Sequence, residues 1–301
     1  LEKLEYRGYD SAGIYVTDAP DKGCLVKSVG RIADLRAKIS SDVKGSTGIG
    51  HTRWATHGQA TEDNAHPHTS ETGRFVLVHN GVIENYLQIK EEYLQGHKFK
   101  GQTDTEIAVH LIGKFVDEDG LSVLEALKKS LHIIQGSYAF ALVDSQAPDT
   151  IYVAKNKSPL LIGVGEGYNM VCSDAMAMIR ETSQFMEIHD KELVVLTKDA
   201  ITVTDYEGNA IERGTYTAEL DLSDIGKGTY PYYMLKEIDE QPTVMRKLIS
   251  TYADDEGNIT VDPAIVKSVQ EADRIYILAA GTSYNAGFAS KAMFEKLTDT
   301  P

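Results

Sequence analysis

The stretch Phe75-Val76-Leu77-Val78-His79-Asn80-Gly81 leads from an apolar strand pattern into a turn signal. A helix pattern follows it, beginning at Asn85 with Gln88 as a capping-box partner. Asn-Gly is a strong hairpin signal, but a helix rather than a partner strand comes next. We therefore expect Asn80 and Gly81 to end a strand at a tight turn. There the Asn amide and the Gly N–H can donate to one oxygen, as in an oxyanion hole.

Strand patterns continue on both sides of this stretch, and Gly, Asp or Asn turns separate most of them. They cover residues 14–17, 25–29, 75–79, 138–144, 151–154, 160–164, 170–172, 193–196 and 201–203. A second helix is predicted to start at Thr103, with Glu106 as its capping-box partner. Helices interrupt these strands instead of alternating with each one, which predicts an α+β layered fold.

The composition shifts near residues 221–228, where we place a domain boundary. Helical patterns follow over 233–241, stopped by Pro242, and over 243–251. A strand pattern over 274–280 then runs into Gly281-Thr282-Ser283 and a helix, which predicts the opening of an α/β unit. The expected organisation is a first domain over residues 1–222, a linker over 223–242 and part of a second domain over 243–301.

The amino-acid composition excludes several classes of binding partner and cofactor. Acidic residues number 45 against 30 basic ones, a formal charge of −15, which argues against nucleic acid or an anionic membrane. No apolar run reaches the length of a membrane span. Two cysteines give no disulfide framework and favour the cytoplasm. His66-Pro67-His68 has no accompanying cysteine or carboxylate cluster, so neither a metal nor another cofactor is expected.

The segment from His51 to Gly58 is rich in groups that bind small polar ligands. The Arg53 guanidinium suits a carboxylate, and Trp54 can cover a small ligand. Asp104 lies in the first turn of a predicted helix, where the helix dipole stabilises its charge and where it can hold an ammonium group. Arg53 and Asp104 together fit the two ends of an amino acid.

A family resemblance rests on four segments, residues 6–13, 51–58, 79–81 and 103–106. In order and spacing they resemble the glutaminase domain of the glutamine:fructose-6-phosphate amidotransferases, the glucosamine-6-phosphate synthases. The segment 232–238 is similar to that family's interdomain segment, and Gly281-Thr282-Ser283 to the first phosphate loop of its sugar isomerase domain. The resemblance implies an N-terminal-nucleophile fold, a four-layer αββα sandwich, followed by the start of an isomerase domain.

The resemblance also implies roles for individual residues. Asn80 and Gly81 match the oxyanion donors, Arg53 the group that binds the glutamine α-carboxylate, and Asp104 the group that binds its α-amino group. Gly281, Thr282 and Ser283 match the sugar-phosphate loop. The other substrate-binding positions are Arg7, Trp54, which covers the site and gates ammonia, and Thr56 and His57, which line it.

In this family a cysteine at the mature N-terminus attacks the glutamine amide, and its own α-amino group is the base. That cysteine would precede Leu1. The sequence pattern begins and ends within helices, so we expect a piece of a longer protein that is inactive without the nucleophile. Cys24 and Cys172 lie in apolar strand patterns, distant in sequence from the binding motifs, and neither is expected to replace it.

The implied ligands are glutamine or glutamate and, in the longer enzyme, fructose 6-phosphate; a homodimer through the isomerase domain is also implied. Three alternatives remain open. An amidotransferase with a phosphoribosyl or aspartate acceptor shares the Asn-Gly and Asp elements, but the Gly281-Thr282-Ser283 loop speaks against it. A module that binds glutamine or glutamate without turnover fits a chain that lacks a nucleophile. A sugar-phosphate regulator leaves the first 220 or so residues unexplained.

Overall fold

The computed structural model describes residues 1–55, 58–218, 230–254 and 256–297. The chain forms two compact units, residues 1–225 and 226–301. The boundary predicted between residues 222 and 223 falls in the segment 219–229, outside the described residues, and stays a prediction.

The first unit is built from short strands with a few helices between them. Its helices are α1 (Ile32–Lys38), α2 (Tyr86–Tyr93), α3 (Asp104–Asp117) and α4 (Val123–Ile133), and 3-10 turns cover Glu2–Arg7 and Ala175–Ala177. Its strands are β1 (Ser11–Thr17), β2 (Cys24–Val29), β3 (Thr47–Arg53), β4 (His68–Thr69), β5 (Phe75–Ile83), β6 (Gly136–Asp144), β7 (Ile151–Asn156), β8 (Leu161–Val164), β9 (Asn169–Cys172), β10 (Gln184–Glu187), β11 (Glu192–Leu196), β12 (Ile201–Asp205) and β13 (Tyr216–Thr217).

The strands form one long sheet and two shorter ones. The six-stranded sheet has the order β12-β11-β7-β6-β5-β4, and its strand pairs are antiparallel. The three-stranded sheet has the order β2-β1-β3, and the four-stranded sheet β13-β10-β8-β9. The strand segments predicted for the first unit are therefore confirmed.

Packing arranges these sheets in layers. On one face of the six-stranded sheet, Phe75 and Leu77 pack against α2, α3 and α4 through residues such as Phe115. On the other face, Val76 packs against Tyr15 of the three-stranded sheet. The four-stranded sheet covers the same face further along, and α1 packs on the outer side of β1 and β2. The fold is thus the predicted α+β sandwich, with two sheet layers between helical layers.

The predicted turn at Asn80-Gly81 is wrong. β5 continues through both residues to Ile83, and it stays paired with β6 at Asn80↔Ala139 and Gly81↔Tyr138. The long partner strand supplies ladder hydrogen bonds that outweigh the local turn preference of Asn-Gly. Asn80 is therefore placed by a rigid strand rather than by a loop.

The two predicted helix starts are confirmed, but their capping differs from the expectation. Thr103 accepts a hydrogen bond from the Glu106 N–H at 3.2 Å, as predicted, whereas the Glu106 carboxylate accepts from the N–H groups of Lys100 and Gly101. Asn85 occupies the N-cap position of α2 without capping it. Its amide donates to the Ile133 carbonyl and accepts from the Gln135 N–H, which ties α2 to the end of α4.

The second unit contains α5 (Tyr233–Tyr252), α6 (Pro263–Gln270) and α7 (Gly281–Leu297). The predicted stop at Pro242 is wrong, because α5 runs through it. The helix is exposed around Ile238, so water can satisfy the carbonyl that Pro242 leaves unpaired. The strand predicted over 274–280 is also wrong: these residues are irregular, and no strand of this unit's described part lies beside them to form a ladder. Among the described helices of the chain, none combines the length and apolar character that a membrane span requires.

Candidate active site

A cavity of about 800 Å³ lies in the first unit, lined by β3, β5, the start of α3 and β9. Its wall includes Arg53, Asn80, Gly81 and Asp104, which come from three different elements. The structure therefore brings together, in one place, the groups that the sequence assigned to an oxyanion hole and to the two ends of an amino acid.

Asn80 is held in a fixed orientation by His51. The Nε2 atom of His51 lies 2.8 Å from the Asn80 Oδ1 atom. A carbonyl oxygen only accepts, so Nε2 is the protonated nitrogen, and the Asn80 Nδ2 donor is left on the other side of the amide. Burial lowers the pKa of His51 to about 4, so the ring is neutral near pH 7. Sequence reasoning assigned His51 no separate role. The residue lies two positions before Arg53 on one strand, a spacing that puts both side chains on one face.

Gly81 occupies a position where another residue would not fit. Its φ angle is +135°, and an added Cβ atom would lie 2.2 Å from the carbonyl oxygen of Ser137 on β6. Glycine is the residue that tolerates both the angle and the close approach. The backbone beside Asn80 is thereby set by the neighbouring strand.

Arg53 ends β3 and is 4% exposed. Its guanidinium donates to the carbonyl of Gln59 at 3.2 Å and to that of Gly58 at 3.5 Å, which holds the loop after β3. Burial lowers the pKa of Arg53, while the nearby carboxylates of Asp10 and Asp104 act in the opposite direction. A guanidinium stays protonated in proteins, so Arg53 brings a positive charge into the cavity wall.

Asp104 is the first residue of α3, and its carboxylate folds back over the helix N-terminus. Oδ2 accepts from the Ile83 N–H at 2.8 Å, and Oδ1 accepts from the Thr105 N–H at 2.9 Å. These two backbone donors hold the carboxylate in a fixed orientation at the helix N-terminus. A carboxylate has about four acceptor positions, so capacity remains for an ammonium group.

Buried histidines form the floor of the cavity. The Thr105 hydroxyl lies 2.9 Å from both His66 Nε2 and His79 Nδ1, and the His51 and His66 rings lie 4.2 Å apart. Burial lowers the pKa of His66 and of His68 well below 6.5. His51 and His66 are therefore neutral near pH 7, and Arg53 and Asp104 place opposite charges in the wall beside them.

The remaining predicted positions lie at the rim or outside the described residues. Trp54 lines the cavity with 56% of its surface exposed, and its ring contacts that of Tyr9 edge-on. Arg7 also lines the cavity and donates to the Ser173 carbonyl and hydroxyl, which joins the first 3-10 turn to the end of β9. Thr56 and His57 lie outside the described residues.

Cys172 lines the same cavity despite its distance in sequence from the binding motifs. Burial raises the pKa of its thiol, so the thiol is protonated near pH 7 and is a poor nucleophile. Cys24 lies on β2 and is not part of the cavity wall.

Comparison with known proteins agrees with this geometry. Residues 51–181 match the model of the glutamine amidotransferase domain family. The chain is 84% identical over all of its 301 residues to a glutamine–fructose-6-phosphate aminotransferase (isomerizing) of Streptococcus mutans, and 79% identical to one of Streptococcus pneumoniae. It spans 50% of the length of each of these curated relatives.

Solved structures show the same fold. A glutamine phosphoribosylpyrophosphate amidotransferase from B. subtilis, complexed with ADP and GMP, matches with a TM-score of 0.58 and 28% identity, over 69% of this chain and 45% of that one. A structure described as the allosteric regulatory enzyme of purine biosynthesis matches with a TM-score of 0.60 and 28% identity, over 68% of this chain and 44% of that one. Residues 51–181 are therefore similar to a glutamine amidotransferase domain, and the chain is similar along its whole length to one half of the isomerizing glutamine–fructose-6-phosphate aminotransferases.

Proposed function

We propose that the longer protein containing this chain transfers the amide nitrogen of glutamine to fructose 6-phosphate, giving glucosamine 6-phosphate and glutamate. Residues 1–222 carry the glutaminase reaction in this proposal. The observation that supports it most is the convergence of Arg53, Asp104, Asn80 and Gly81 on one cavity. The acceptor is proposed from the name of the relatives, which are 84% and 79% identical to this chain.

Glutamine binding is proposed to use the two opposite charges of the cavity wall. The Arg53 guanidinium binds the α-carboxylate, since its planar fork of donors matches two carboxylate oxygens. The Asp104 carboxylate binds the α-amino group. Both side chains are already held by backbone groups, Arg53 by the carbonyls of Gln59 and Gly58 and Asp104 by the Ile83 N–H. Such prior ordering lowers the entropy cost of binding.

Asn80 and Gly81 are proposed to act on the reacting amide. When a thiolate attacks the amide carbon, negative charge develops on the amide oxygen. The Asn80 Nδ2 group and the Gly81 N–H donate to that oxygen. The His51 hydrogen bond to Oδ1 keeps Nδ2 available for this purpose. The donors are in place before the charge appears, which is the condition for a large catalytic effect.

The nucleophile is proposed to lie on an extended segment that precedes Leu1 in the longer protein. The cavity is lined by β3 along its length and by β9. Within the described residues, β3 is paired only with β1, and β9 only with β8. A strand inserted between these two edges would gain ladder hydrogen bonds on both sides and would join the short sheets into one layer. Its first residue would then reach the wall that holds Asn80.

The proposed chemistry follows the family mechanism. The cysteine Sγ forms a bond to the amide carbon while the α-amino group of the cysteine takes the thiol proton. The amino group then gives this proton to the amide nitrogen, and the C–N bond breaks to release ammonia and leave a thioester. Water then hydrolyses the thioester to glutamate and regenerates the thiol. Trp54, at the rim, is proposed to cover the site, and Thr56 and His57 are proposed to line it. Sequestration keeps ammonia unprotonated for attack on the sugar carbonyl.

The second unit is proposed to begin the acceptor domain, with residues 223–242 as linker and 243–301 as the start of a sugar isomerase domain. Gly281, Thr282 and Ser283 open α7, and their N–H groups are proposed to bind the phosphate of fructose 6-phosphate. Large apolar side chains of this unit are exposed, among them Tyr276, Leu278 and Phe288. We propose that the rest of the domain and a second subunit cover them, and that the homodimer works in the cytoplasm.

The test uses the full-length protein with glutamine and either fructose 6-phosphate or phosphoribosyl pyrophosphate, followed by mass spectrometry of the products. Glucosamine 6-phosphate formed together with one glutamate supports the proposal. An aminated phosphoribosyl product, with none from fructose 6-phosphate, would select the alternative acceptor. Glutamine binding without either product, under conditions where the protein is folded, would reject an amidotransferase function altogether.

A further inference from the structure

A second cluster of titratable side chains lies away from the cavity described above. Glu71, His97 and His110 each place one possible ligand atom within 4.8 Å of the others. Glu71 follows β4, His97 follows α2 and His110 lies within α3. None of the three lines the glutamine cavity, and the proposed reaction gives none of them a role.

His110 has an unsatisfied nitrogen. The residue is 3% exposed, and its Nδ1 atom is buried without a hydrogen-bond partner. Its ring is stacked on Phe99 with the ring centres 4.6 Å apart, which fixes the plane of the imidazole. Buried polar atoms are nearly always satisfied, and an exception indicates a missing water or ion.

His97 lies between two carboxylates. Its Nδ1 atom is 2.8 Å from Glu71 Oε2, and its Nε2 atom is 3.1 Å from Glu118 Oε1. The closer pair is not aligned as a hydrogen bond, since Nδ1 has no hydrogen-bond partner. Two ligand atoms of one metal ion also lie close together without hydrogen-bond alignment, because both point at the ion. Glu118 on the opposite nitrogen matches the carboxylate–histidine–metal arrangement that orients a liganding imidazole.

We propose that Glu71, His97 and His110 bind a divalent cation of the zinc type. Two imidazoles and one carboxylate favour Zn²⁺, Co²⁺ or Ni²⁺ over Mg²⁺ and Ca²⁺, which take oxygen ligands. Ligand atoms of a tetrahedral zinc ion lie about 3.3 Å apart, so a pair of ligand atoms in the cluster must approach by at most roughly 1.5 Å. The Glu71 side chain is 40% exposed and can supply that movement. Water would complete the coordination.

The ion has an entry path and a structural consequence. Glu71, His97 and Glu118 line an open cleft of about 450 Å³, so a hydrated cation reaches them from solvent. Bound there, the ion would connect the turn after β4 to the segment that follows α2 and to α3. The N-terminal end of α3 carries Asp104, so the site would stabilise the helix that presents this carboxylate.

The experiment titrates the metal-free, reduced 301-residue chain with Zn²⁺ by calorimetry and follows the unfolding temperature, with Co²⁺ as a spectroscopic probe. One ion per chain, a raised unfolding temperature and tetrahedral Co²⁺ absorption are expected. Glu71→Gln and His97→Asn should weaken Zn²⁺ binding by about 100-fold or more. Both residues are partly exposed at the cleft, so these variants keep the protein folded even if His110→Asn does not.

His189→Asn is the matched control. His189 also lies near two carboxylates, those of Glu187 and Glu192, but it belongs to no metal-holding group among the described residues. Its Zn²⁺ affinity should equal that of the unmodified chain. The proposal is overturned if no Zn²⁺ binds at millimolar concentration. It is equally overturned if binding survives both Glu71→Gln and His97→Asn, since the ion would then lie elsewhere.

Discussion

The His51–Asn80 hydrogen bond determines, at the scale of single residues, which side of the Asn80 amide faces the reacting group. Without the ring, the amide can rotate and present its oxygen to a developing negative charge. His51→Asn in the full-length protein should therefore lower kcat for glutamine hydrolysis by about 10- to 100-fold, less than loss of the donor itself. KM should change by less than about threefold, because the ground-state contacts remain.

Steady-state kinetics of glutamate release measure both parameters. His132→Asn is the control, since His132 is an exposed residue of α4 whose Nδ1 atom lies 2.8 Å from the Lys128 carbonyl oxygen and which does not line the cavity. A raised KM with an unchanged kcat for His51→Asn would assign His51 to substrate binding instead.

Arg53 should act mainly on substrate binding. Arg53→Lys replaces a planar fork by a point charge and also weakens the hold on the carbonyls of Gly58 and Gln59. We expect the KM for glutamine to rise about tenfold or more. Arg213→Lys, which alters a buried ion pair with Glu192 outside the cavity, should leave KM unchanged. Equal KM values for the two variants would contradict the assignment of Arg53 to the α-carboxylate.

Residue types at the site could be inferred from the sequence where their chemistry is distinctive. Arg53 and Asp104 carry opposite charges in polar motifs, and both line the cavity. His51 and Cys172 could not be placed, because their positions depend on contacts between elements far apart in the chain. The Nε2 contact of His51 reaches from β3 to β5, and Cys172 enters the wall through the packing of the short sheets.

At the scale of elements, the close approach of β5 to β6 should make Gly81 a sensitive position. Gly81→Ala would force a Cβ atom toward the Ser137 carbonyl oxygen at a φ angle of +135°. We expect a loss of at least about 2 kcal/mol of unfolding free energy. Gly73→Ala is the matched control, since Gly73 also has a positive φ of +79° but has nothing within 4 Å of an added Cβ.

Urea unfolding of the 301-residue chain, followed by circular dichroism, compares the two variants. Gly73→Ala should lower the free energy of unfolding by about 1 kcal/mol, because only the backbone conformation is unfavourable for alanine there. Similar losses for both variants would mean that β6 moves away from Gly81 without cost.

Helices and strands with a regular apolar pattern could be predicted from the sequence. Elements whose conformation depends on pairing with a strand distant in sequence could not. β3 was not predicted because Gly48 and Gly50 interrupt its pattern, yet pairing with β1 along seven residues makes it a strand. The turn predicted at Asn80-Gly81 failed for the same reason, since β6 extends the ladder past it. Residues 274–280 show the reverse case. They have the apolar pattern of a strand, but no partner strand lies in the described part of their unit, and they remain irregular.

For the molecule as a whole, buried neutral histidines should make stability depend on pH. Burial lowers the pKa of His51 to about 4 and those of His66 and His68 in the same direction. The unfolded chain binds protons near pH 6.5, whereas the folded chain does not, so stability is full above about pH 6.5 and falls as the pH drops toward 4. His51 alone contributes on the order of 3 kcal/mol of this loss.

Urea unfolding of the 301-residue chain at about pH 7.5 and pH 5 measures this effect. His51→Asn should show a smaller decline between the two pH values, because one titrating group is removed. Equal stability of the unmodified chain at both values would show that these histidines are protonated or hydrated in the folded state.

The cavity between the sheets is the proposed site where glutamine loses its amide nitrogen. The most direct measurement uses the full-length protein, glutamine labelled with ¹⁵N in the amide and fructose 6-phosphate, and compares the unmodified protein with Asn80→Ala. We predict ¹⁵N in glucosamine 6-phosphate and a fall in kcat of about 100- to 1,000-fold for Asn80→Ala, with KM changed by less than about threefold. If Asn80→Ala transferred ¹⁵N fully and as fast as the unmodified protein, the assignment of glutamine cleavage to this cavity would be contradicted.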